Sequence, residues 1–512
     1  MKKLNKVTAA FTAVTLTAGL AACQSNTATD GKPTDTSDKP GQTITYKILR
    51  SNGVAEYPAD GGRGRKEIVK ALDKAGIKGI DFTVNMPGTG PDYTTKLNLL
   101  ATSGDLPDYF NLDLPTMAKM ADDGLLLPLD DYIKKMPHAS KLFKESDLEA
   151  LRYKGKLYAL PVGYRPEPFN GPNTNGFIVR KDWLDTLGLK EPTTLDELHD
   201  VLKAFTTGDP DKNGKNDSYG LGGTKTSNFS GIFGAFGIAP TFWFERDGRL
   251  KQGMVLPETK DVLKLMNQWY KEGLIDPEFL LMESKQRDEK VINSKLGVFE
   301  GTAFDIDPKQ PLINSLKKVT PNASFALLLP PKGPKGLMGW PEAGPAYGDI
   351  KAVSAKVKNP DLLIKMIDWS TSDEPDGGFY LITYGMEGEH YTFDKQKNRV
   401  TQLVSSYSDL YKEGFSNPVR FTQVVDRRWM ADDSLKAMEV TNKYVITNPF
   451  WKTVPAQLEY PDIIKLWTEY FAKIVLGEMP LDKFDEFVQK YYQQGGKKIE
   501  DQVNEEWKKT KK

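Results

Sequence analysis

One short stretch carries the spacing of a cation site. In Asp209-Pro210-Asp211-Lys212-Asn213-Gly214-Lys215-Asn216-Asp217-Ser218-Tyr219-Gly220, side-chain oxygens recur at loop positions 1, 3, 5 and 9. A turn glycine stands at 6, and Lys215 at 7 can offer its carbonyl. This is the EF-hand spacing for a hard cation with oxygen ligands. Gly220 stands where a bidentate Glu would close the shell, so coordination needs Ser218, a water or a carboxylate from elsewhere. The alternative is an Asp/Asn/Gly turn with no ion. Either way the loop is a stiffening device and not a catalytic one.

A second chemistry is covalent. Cys23 is the only cysteine in 512 residues, and it ends Leu20-Ala21-Ala22-Cys23 behind Lys2, Lys3, Lys6 and an apolar run from Val7 to Leu20. That pattern is a lipoprotein signal peptide over 1–22, with the mature chain starting at a lipid-modified Cys23. Residues 23–42 are rich in Thr, Asp, Ser, Gly, Lys and Pro and read as a flexible tether. The expected location is the extracytoplasmic face of the bacterial cell membrane, with the lipid as the only membrane attachment. No cysteine remains for a disulfide or for thiol chemistry.

The other reactive groups argue against catalysis. There is no H-E-x-x-H, no G-x-S-x-G and no P-loop, and the histidines are His138, His199 and His390. A glycosidase would need two acids about 5 to 9 Å apart across a cleft, which 69 Asp and Glu leave open on counting alone. Lys+Arg and Asp+Glu are equal at 69 each, and loss of the leader's three lysines makes the body slightly acidic. Nothing in that balance suits nucleic acid.

The elements that must position such groups follow an α/β pattern. Ile44, Tyr46 and Ile48 alternate with polar residues, as do Ile80, Phe82, Val84 and Met86, and Ile68, Val69 and Leu72 hold helical spacing between them. This is a βαβ unit. Asp92 is read as the cap of a helix ending at Gly104, and Asp108 to Leu112 as the next strand. Thr194-Leu195-Asp196-Glu197 is a capping box opening a helix with Leu198, Val201, Leu202 and Phe205 on one face. From Tyr460 onward, two helical runs flank Gly477 to Pro480 and predict a hairpin packed on one lobe. About 470 residues beyond the tether are too many for one core.

The conjunction of the Cys23 lipobox, Ser103-Gly104-Asp105-Leu106-Pro107-Asp108, Gly155-Lys156-Leu157-Tyr158-Ala159-Leu160-Pro161, Val179 to Gly188 with Pro192-Thr193-Thr194, and Tyr384 to Tyr391 resembles the extracellular solute-binding proteins, family 1. The likeness is to carbohydrate-binding lipoproteins of ABC importers, of the polysaccharide-uptake type. It implies a type II, two-lobed periplasmic-binding-protein-like fold with a multi-crossing hinge, a cleft and C-terminal helices. Lobe boundaries are expected at 43–163 with about 332–375 for the first, and 164–331 with about 376–512 for the second. The implied function is capture of an oligosaccharide by a monomeric receptor and its delivery to two permease subunits served by a cytoplasmic ATPase. A peptide or charged small molecule is the alternative ligand, and a surface-tethered polysaccharide-degrading enzyme the alternative class. Some receptors that this chain resembles hold structural Ca²⁺ in a similar loop, so Asp209, Asp211, Asn213, Lys215 and Asp217 are expected to bind Ca²⁺.

Sugar recognition needs aromatic faces and planar polar groups. Trp243, Trp340 and Trp451 lie in Gly/Pro-rich or irregular stretches and are candidates, with lobe packing as the alternative for each. Tyr164 and Arg165 follow the first expected crossing, and Arg165 would suit a uronic acid. Glu300, in Gly297-Val298-Phe299-Glu300-Gly301, resembles a cleft-lining acid. Asp108, Asn111, Asn52 and Tyr57 follow from the rule that ligands sit beyond strand carboxyl ends.

Overall fold

Alternating apolar side chains give the first sheet its order. In the computed structural model, β1 (Ile44–Leu49) buries Tyr46 and Ile48 and runs parallel to β2 (Ile80–Asn85), with Ile44 opposite Ile80 and Leu49 opposite Asn85. Between them α1 (Gly62–Lys74) buries Ile68 and Leu72. Next, α2 (Gly90–Ser103) ends at Gly104, whose φ of 76° is the left-handed cap that glycine tolerates. Thr89 occupies its N-cap position, and Asp92 lies in the first turn instead of capping it. Then β3 (Tyr109–Leu112) joins the opposite edge of β1, with Ile48 opposite Tyr109. The chain therefore reverses its direction of travel across the sheet between β2 and β3.

The second sheet is built from β4 (Asn175–Arg180), β5 (Tyr219–Gly222), β8 (Leu296–Thr302) and β9 (Phe325–Leu327), in the order β9-β4-β8-β5. The labels β6 (Trp243–Arg246) and β7 (Arg249–Gln252) denote a separate hairpin. Helix α3 (Leu195–Thr207) begins with the expected capping box, in which Thr194 Oγ1 accepts the Glu197 N–H at 3.1 Å and the Glu197 carboxylate accepts the Thr194 N–H at 3.2 Å. Two further helices matter to the site, α4 (Ser230–Gly234) and α5 (Pro257–Lys271).

Two further short pairings add to the cores, one in each. Leu160 and Lys351 exchange backbone hydrogen bonds of 2.7 and 2.9 Å, and β10 (Trp340–Pro341) runs parallel to β12 (Val445–Ile446). Lys351 belongs to β11 (Ile350–Val353), which lies antiparallel on β3 and completes the order β11-β3-β1-β2. After it, α6 (Pro360–Trp369) is capped by Asn359, whose Oδ1 accepts the Leu362 N–H. At the end, α7 (Ile463–Val475), α8 (Lys483–Tyr491) and α9 (Lys497–Thr510) form the expected helical tail. Trp467, Phe471, Phe487 and Tyr491 join one apolar core with Trp183 and Trp269. A separate core gathers Tyr46, Phe82, Phe110, Leu160 and Ile367. These are the centres of two α/β lobes.

The residues described are 43–52, 57–143, 145–161, 175–227, 229–341, 350–416, 418–419, 428 and 430–510. Thr43–Lys512 is one compact unit. Cys23, the tether, Tyr164 and Arg165 lie outside the described residues. Among the described residues no helix is long and apolar enough to cross a membrane. The sequence puts everything after 376 with the second lobe, whereas 389–416 lie against α1. The Gly64 N–H donates to Glu413 O at 2.7 Å, and Arg63 forks onto Glu389 at 2.5 and 2.7 Å.

Candidate ligand crevice

Because β2 and β3 flank β1 on opposite sides, the carboxyl ends of β1 and β3 border a topological switch point, where open α/β sheets bind ligands. The β1–β3 ladder ends at Leu49 opposite Phe110. Beyond it the Tyr93 hydroxyl, reaching in from α2, lies 2.8 Å from both the backbone N and O of Asn111 and 3.4 Å from Leu49 O. A side chain thus takes the place of the next backbone rung.

Three side chains form a row across this end of the sheet. Ile48 and Tyr109 are register partners, so Arg50 and Asn111, each two residues further on, share their face. Lys351 is the direct cross-strand partner of Asn111 and points the same way. All three are buried, at 4%, 3% and 0% exposure for Arg50, Asn111 and Lys351. Arg50 Nη1 donates to Ser416 Oγ at 2.6 Å. Among the described residues Asn111 Oδ1 is buried without a hydrogen-bond partner, and so is the Tyr57 hydroxyl. Burial raises the Tyr57 phenol above its ordinary value, against the nearby Arg50 charge. Asn52 sits close by, its carbonyl accepting the Gly88 N–H at 3.0 Å. Asn52, Tyr57 and Asn111 therefore gather at one end of the sheet. Asp108 does not join them: it precedes β3, at the amino end, where its Oδ2 accepts the Lys47 N–H. As the first residue of the strand read from the sequence it stands at the amino end, which the carboxyl-end rule does not reach.

The second lobe offers Glu300 at the carboxyl end of β8, its carboxylate accepting the Ser230 N–H at the start of α4. Arg287 donates to Glu300 O at 3.1 Å and lies 4.8 Å over the Phe299 ring. The tryptophans divide. Trp340 is fully buried, edge-on to Phe177 at 5.2 Å and pressed against Gly231, where a Cβ would stand 2.4 Å from the indole. Trp243 is 4% exposed, with its backbone N–H on Asn448 Oδ1. Both are lobe packing in this structure. Trp451 is half-buried, edge-on to Phe242 at 5.2 Å.

Arg50 and Lys351 were not among the residues singled out from the sequence. Arg50 continues the Tyr46, Ile48 alternation and could have been found by extending it. Lys351 has no such signal, because its place depends on pairing with a strand more than two hundred residues earlier.

The Asp209–Asp217 loop folds back on itself. Asp209 carboxylate oxygens accept the N–H groups of Asn213 and Gly214 at 2.9 and 3.0 Å. Asn213 Nδ2 donates to Asp211 and Asp217 at 2.9 and 3.2 Å, and Lys295 pairs with Asp217. Burial pushes the Asp211 carboxyl up, helped by the neighbouring charges of Asp209 and Asp217. Two carboxylates on the Asn213 side-chain amide and a third on its backbone N–H form an oxygen set that suits a hard cation.

A different acid and histidine group, Glu389, His390 and Glu413, is close enough in space to suggest a metal. Its hydrogen bonds argue otherwise. His390 Nδ1 accepts the Met386 N–H at 2.9 Å, so the ring proton sits on Nε2, 3.3 Å from Glu413 Oε1. Arg63 engages both carboxylates and holds Glu389 below its ordinary range. The cluster is an ion-pair clasp between α1 and the 389–416 segment.

Residues 55–376 match the family model described as bacterial extracellular solute-binding protein. Over 459 residues the chain is 27% identical to the polygalacturonan/rhamnogalacturonan-binding protein YtcQ of Bacillus subtilis (strain 168), across 86% of this chain and 88% of that protein. Among solved structures, alginate-binding protein AlgQ2 without calcium ion aligns at a TM-score of 0.72 and 22% identity, over 91% of this chain and 98% of that one. The Streptococcus pneumoniae ABC-transporter substrate binding protein FusA, as an EF-hand mutant in complex with fructo-nystose, aligns at 0.69 and 20% identity, over 91% and 99%. With the family model matching more than half of its length, this chain belongs to the bacterial extracellular solute-binding proteins and has their two-lobed fold.

Proposed function

We propose that this protein is the receptor of an ABC importer, capturing an oligosaccharide between its two lobes and handing it to two permease subunits driven by a cytoplasmic ATPase. The observation that carries the reading is the buried, unpartnered Asn111 Oδ1 at the switch point, since such an atom costs about 1 to 3 kcal/mol unless a partner arrives. A sugar hydroxyl is a partner of the right kind. The names of the relatives, a polygalacturonan/rhamnogalacturonan-binding protein and a receptor solved with fructo-nystose, support a carbohydrate. Both are binding proteins by name, in keeping with a receptor that returns its ligand unchanged.

In this reading Asn52, Tyr57 and Asn111 line the first lobe's side of the crevice, with Glu300 and Trp451 on the second. The Leu160–Lys351 pairing and the β10–β12 pairing act as the hinge. Cys23 carries the lipid that keeps a monomeric receptor beside its permease. Asp209, Asp211, Asn213, Asp217 and the Lys215 carbonyl hold a structural Ca²⁺, a proposal supported by the convergence of the loop's carboxylates and by the EF-hand named for FusA.

The test is a thermal-shift screen of the soluble chain from Gln24 onward against neutral and acidic oligosaccharides, with the sugar recovered and sized afterwards. A sugar-specific rise in Tm with intact sugar supports the receptor. No rise with any sugar removes the carbohydrate reading, and sugar recovered in pieces replaces a receptor with an enzyme.

A further inference from the structure

The end of β3 holds one residue whose backbone is engaged and whose side-chain oxygen is not. The Asn111 N–H donates to the Tyr93 hydroxyl at 2.8 Å, and that hydroxyl donates to Asn111 O at 2.8 Å. On the other side Asn111 is paired with Lys351 across the strands. Held from both sides, the residue cannot slide to bring Oδ1 to a donor, and at 3% exposure water does not supply one. Among the described residues Oδ1 is a buried acceptor with nothing to accept from, and the Tyr57 hydroxyl shares that condition. Tyr57 lies near enough to Arg50, which shares a sheet face with Asn111, to feel its charge, and burial raises the phenol so that it stays a hydroxyl. Each such atom destabilises the fold by about as much as a lost hydrogen bond. An apolar side chain of similar shape, leucine at 111 or phenylalanine at 57, would remove the cost. Two such costs at one end of one sheet point to a ligand that relieves both.

Resting on the receptor reading above, we propose that Asn111 and Tyr57 make the crevice specific for a sugar whose hydroxyl is free at the position they read, and that the chain carries both groups at a cost in ligand-free stability. An amide oxygen accepts and never donates, so the group opposite Asn111 has to bring a hydrogen. A ring hydroxyl brings one. An O-methyl or O-acetyl group, a glycosidic oxygen and a deoxy carbon do not. Tyr57 is the more versatile partner, donating to one sugar oxygen or accepting from one hydroxyl. A site built around buried polar groups rejects an analogue that leaves them unpaired more strongly than an apolar pocket rejects a change of size. At the usual cost of an unpaired buried group, the discrimination is about ten- to a hundredfold in affinity. The sugar enters with the lobes apart and is enclosed with these two atoms when the lobes meet.

The experiment is substitution interference, read by calorimetry and mass spectrometry. Oligogalacturonate, fructo-oligosaccharides and malto-oligosaccharides are titrated into the soluble chain. A randomly mono-O-methylated pool of each sugar that binds is then fractionated on the protein, and the methyl positions are compared in bound and unbound sugar. At least one position is expected to be missing from the sugar bound by the parent. In Asn111→Leu that position should return to the bound fraction, while the unmodified sugar binds about ten- to a hundredfold more weakly. Tyr57→Phe should weaken binding of the unmodified sugar as well. Without ligand, both variants should melt at or above the parent Tm, a readout that a purely structural role would move the other way. A bound fraction with every methyl position represented, an exclusion that persists unchanged in Asn111→Leu, or variants that bind as the parent does overturn the free-hydroxyl selectivity and leave the receptor reading intact. A Tm below the parent's in either variant shows its polar atom to be partnered within the chain, and also overturns the proposal. No binding of any sugar overturns both readings.

Discussion

Glu500 is a carboxyl almost wholly buried in the fold. It lies on α9 at 4% exposure, and burial pushes its carboxyl up to about 7 from 4.5, against the partial relief given by the Tyr492 hydroxyl and the Gln252 N–H. Between those two values the folded chain keeps a proton that the unfolded chain has lost, so stability falls as pH rises from 4.5 through about 7. Glu500→Gln removes that loss while retaining an acceptor. Urea unfolding should find the variant more stable than the parent by about 3 kcal/mol at pH 8 and equal to it near pH 4. A difference independent of pH would mean that Glu500 does not titrate in the folded state. At this scale the sequence reached some residues of the proposed crevice and not others. Asn111, Asn52 and Tyr57 follow from strand ends, which periodicity locates. Asp108 does not belong with them because it opens its strand, at the amino end, where the carboxyl-end rule does not apply. Trp340 looked available in a Gly/Pro-rich stretch, but Gly231 leaves the indole a seat that only the folded chain reveals.

Elements set by neighbouring residues were legible, and those set by distant partners were not. The βαβ opening, the Thr194–Glu197 capping box and the C-terminal helical hairpin each declare themselves within a dozen or so residues. The placement of 389–416 on α1 depends on contacts across more than three hundred positions, and no local pattern announces it. Gly64 tests that contact. A Cβ there would stand 2.2 Å from Gly414 O, so Gly64→Ala must push the segment off α1 and should cost about 1 to 3 kcal/mol in urea unfolding. An unchanged midpoint would show that the contact is not held in solution. The Asp209–Asp217 loop gives a second test at this scale. If it holds Ca²⁺, free ion at a hundred times its Kd adds about 2.7 kcal/mol of stability. Chelator should then lower the Tm of the parent and leave that of Asp211→Asn unmoved. Parent melting curves that superpose with and without chelator would make the loop an empty turn.

Across the whole molecule, the Leu160–Lys351 pairing belongs with the first core and β10 with the second, and contacts outside the two sheets link the loop after β8 to the 389–416 segment. Lys309 Nζ donates to Gln402 O at 2.6 Å, and the Tyr407 hydroxyl meets Asp307 at 3.1 Å, linking the loop after β8 to the segment packed on α1. A ligand bound by both lobes shifts such a molecule toward its closed form only by the difference in its affinity for the two states. The two-lobed class was legible from the α/β pattern together with the family motifs, whereas the size of any closure is set by contacts no sequence pattern reports. Small-angle scattering of the soluble chain, titrated with an oligosaccharide whose binding calorimetry has established, tests capture between lobes most directly. The account predicts a radius of gyration that contracts in proportion to ligand bound and recovers when the sugar is removed intact. Scattering curves that stay identical from free to saturated protein would contradict it.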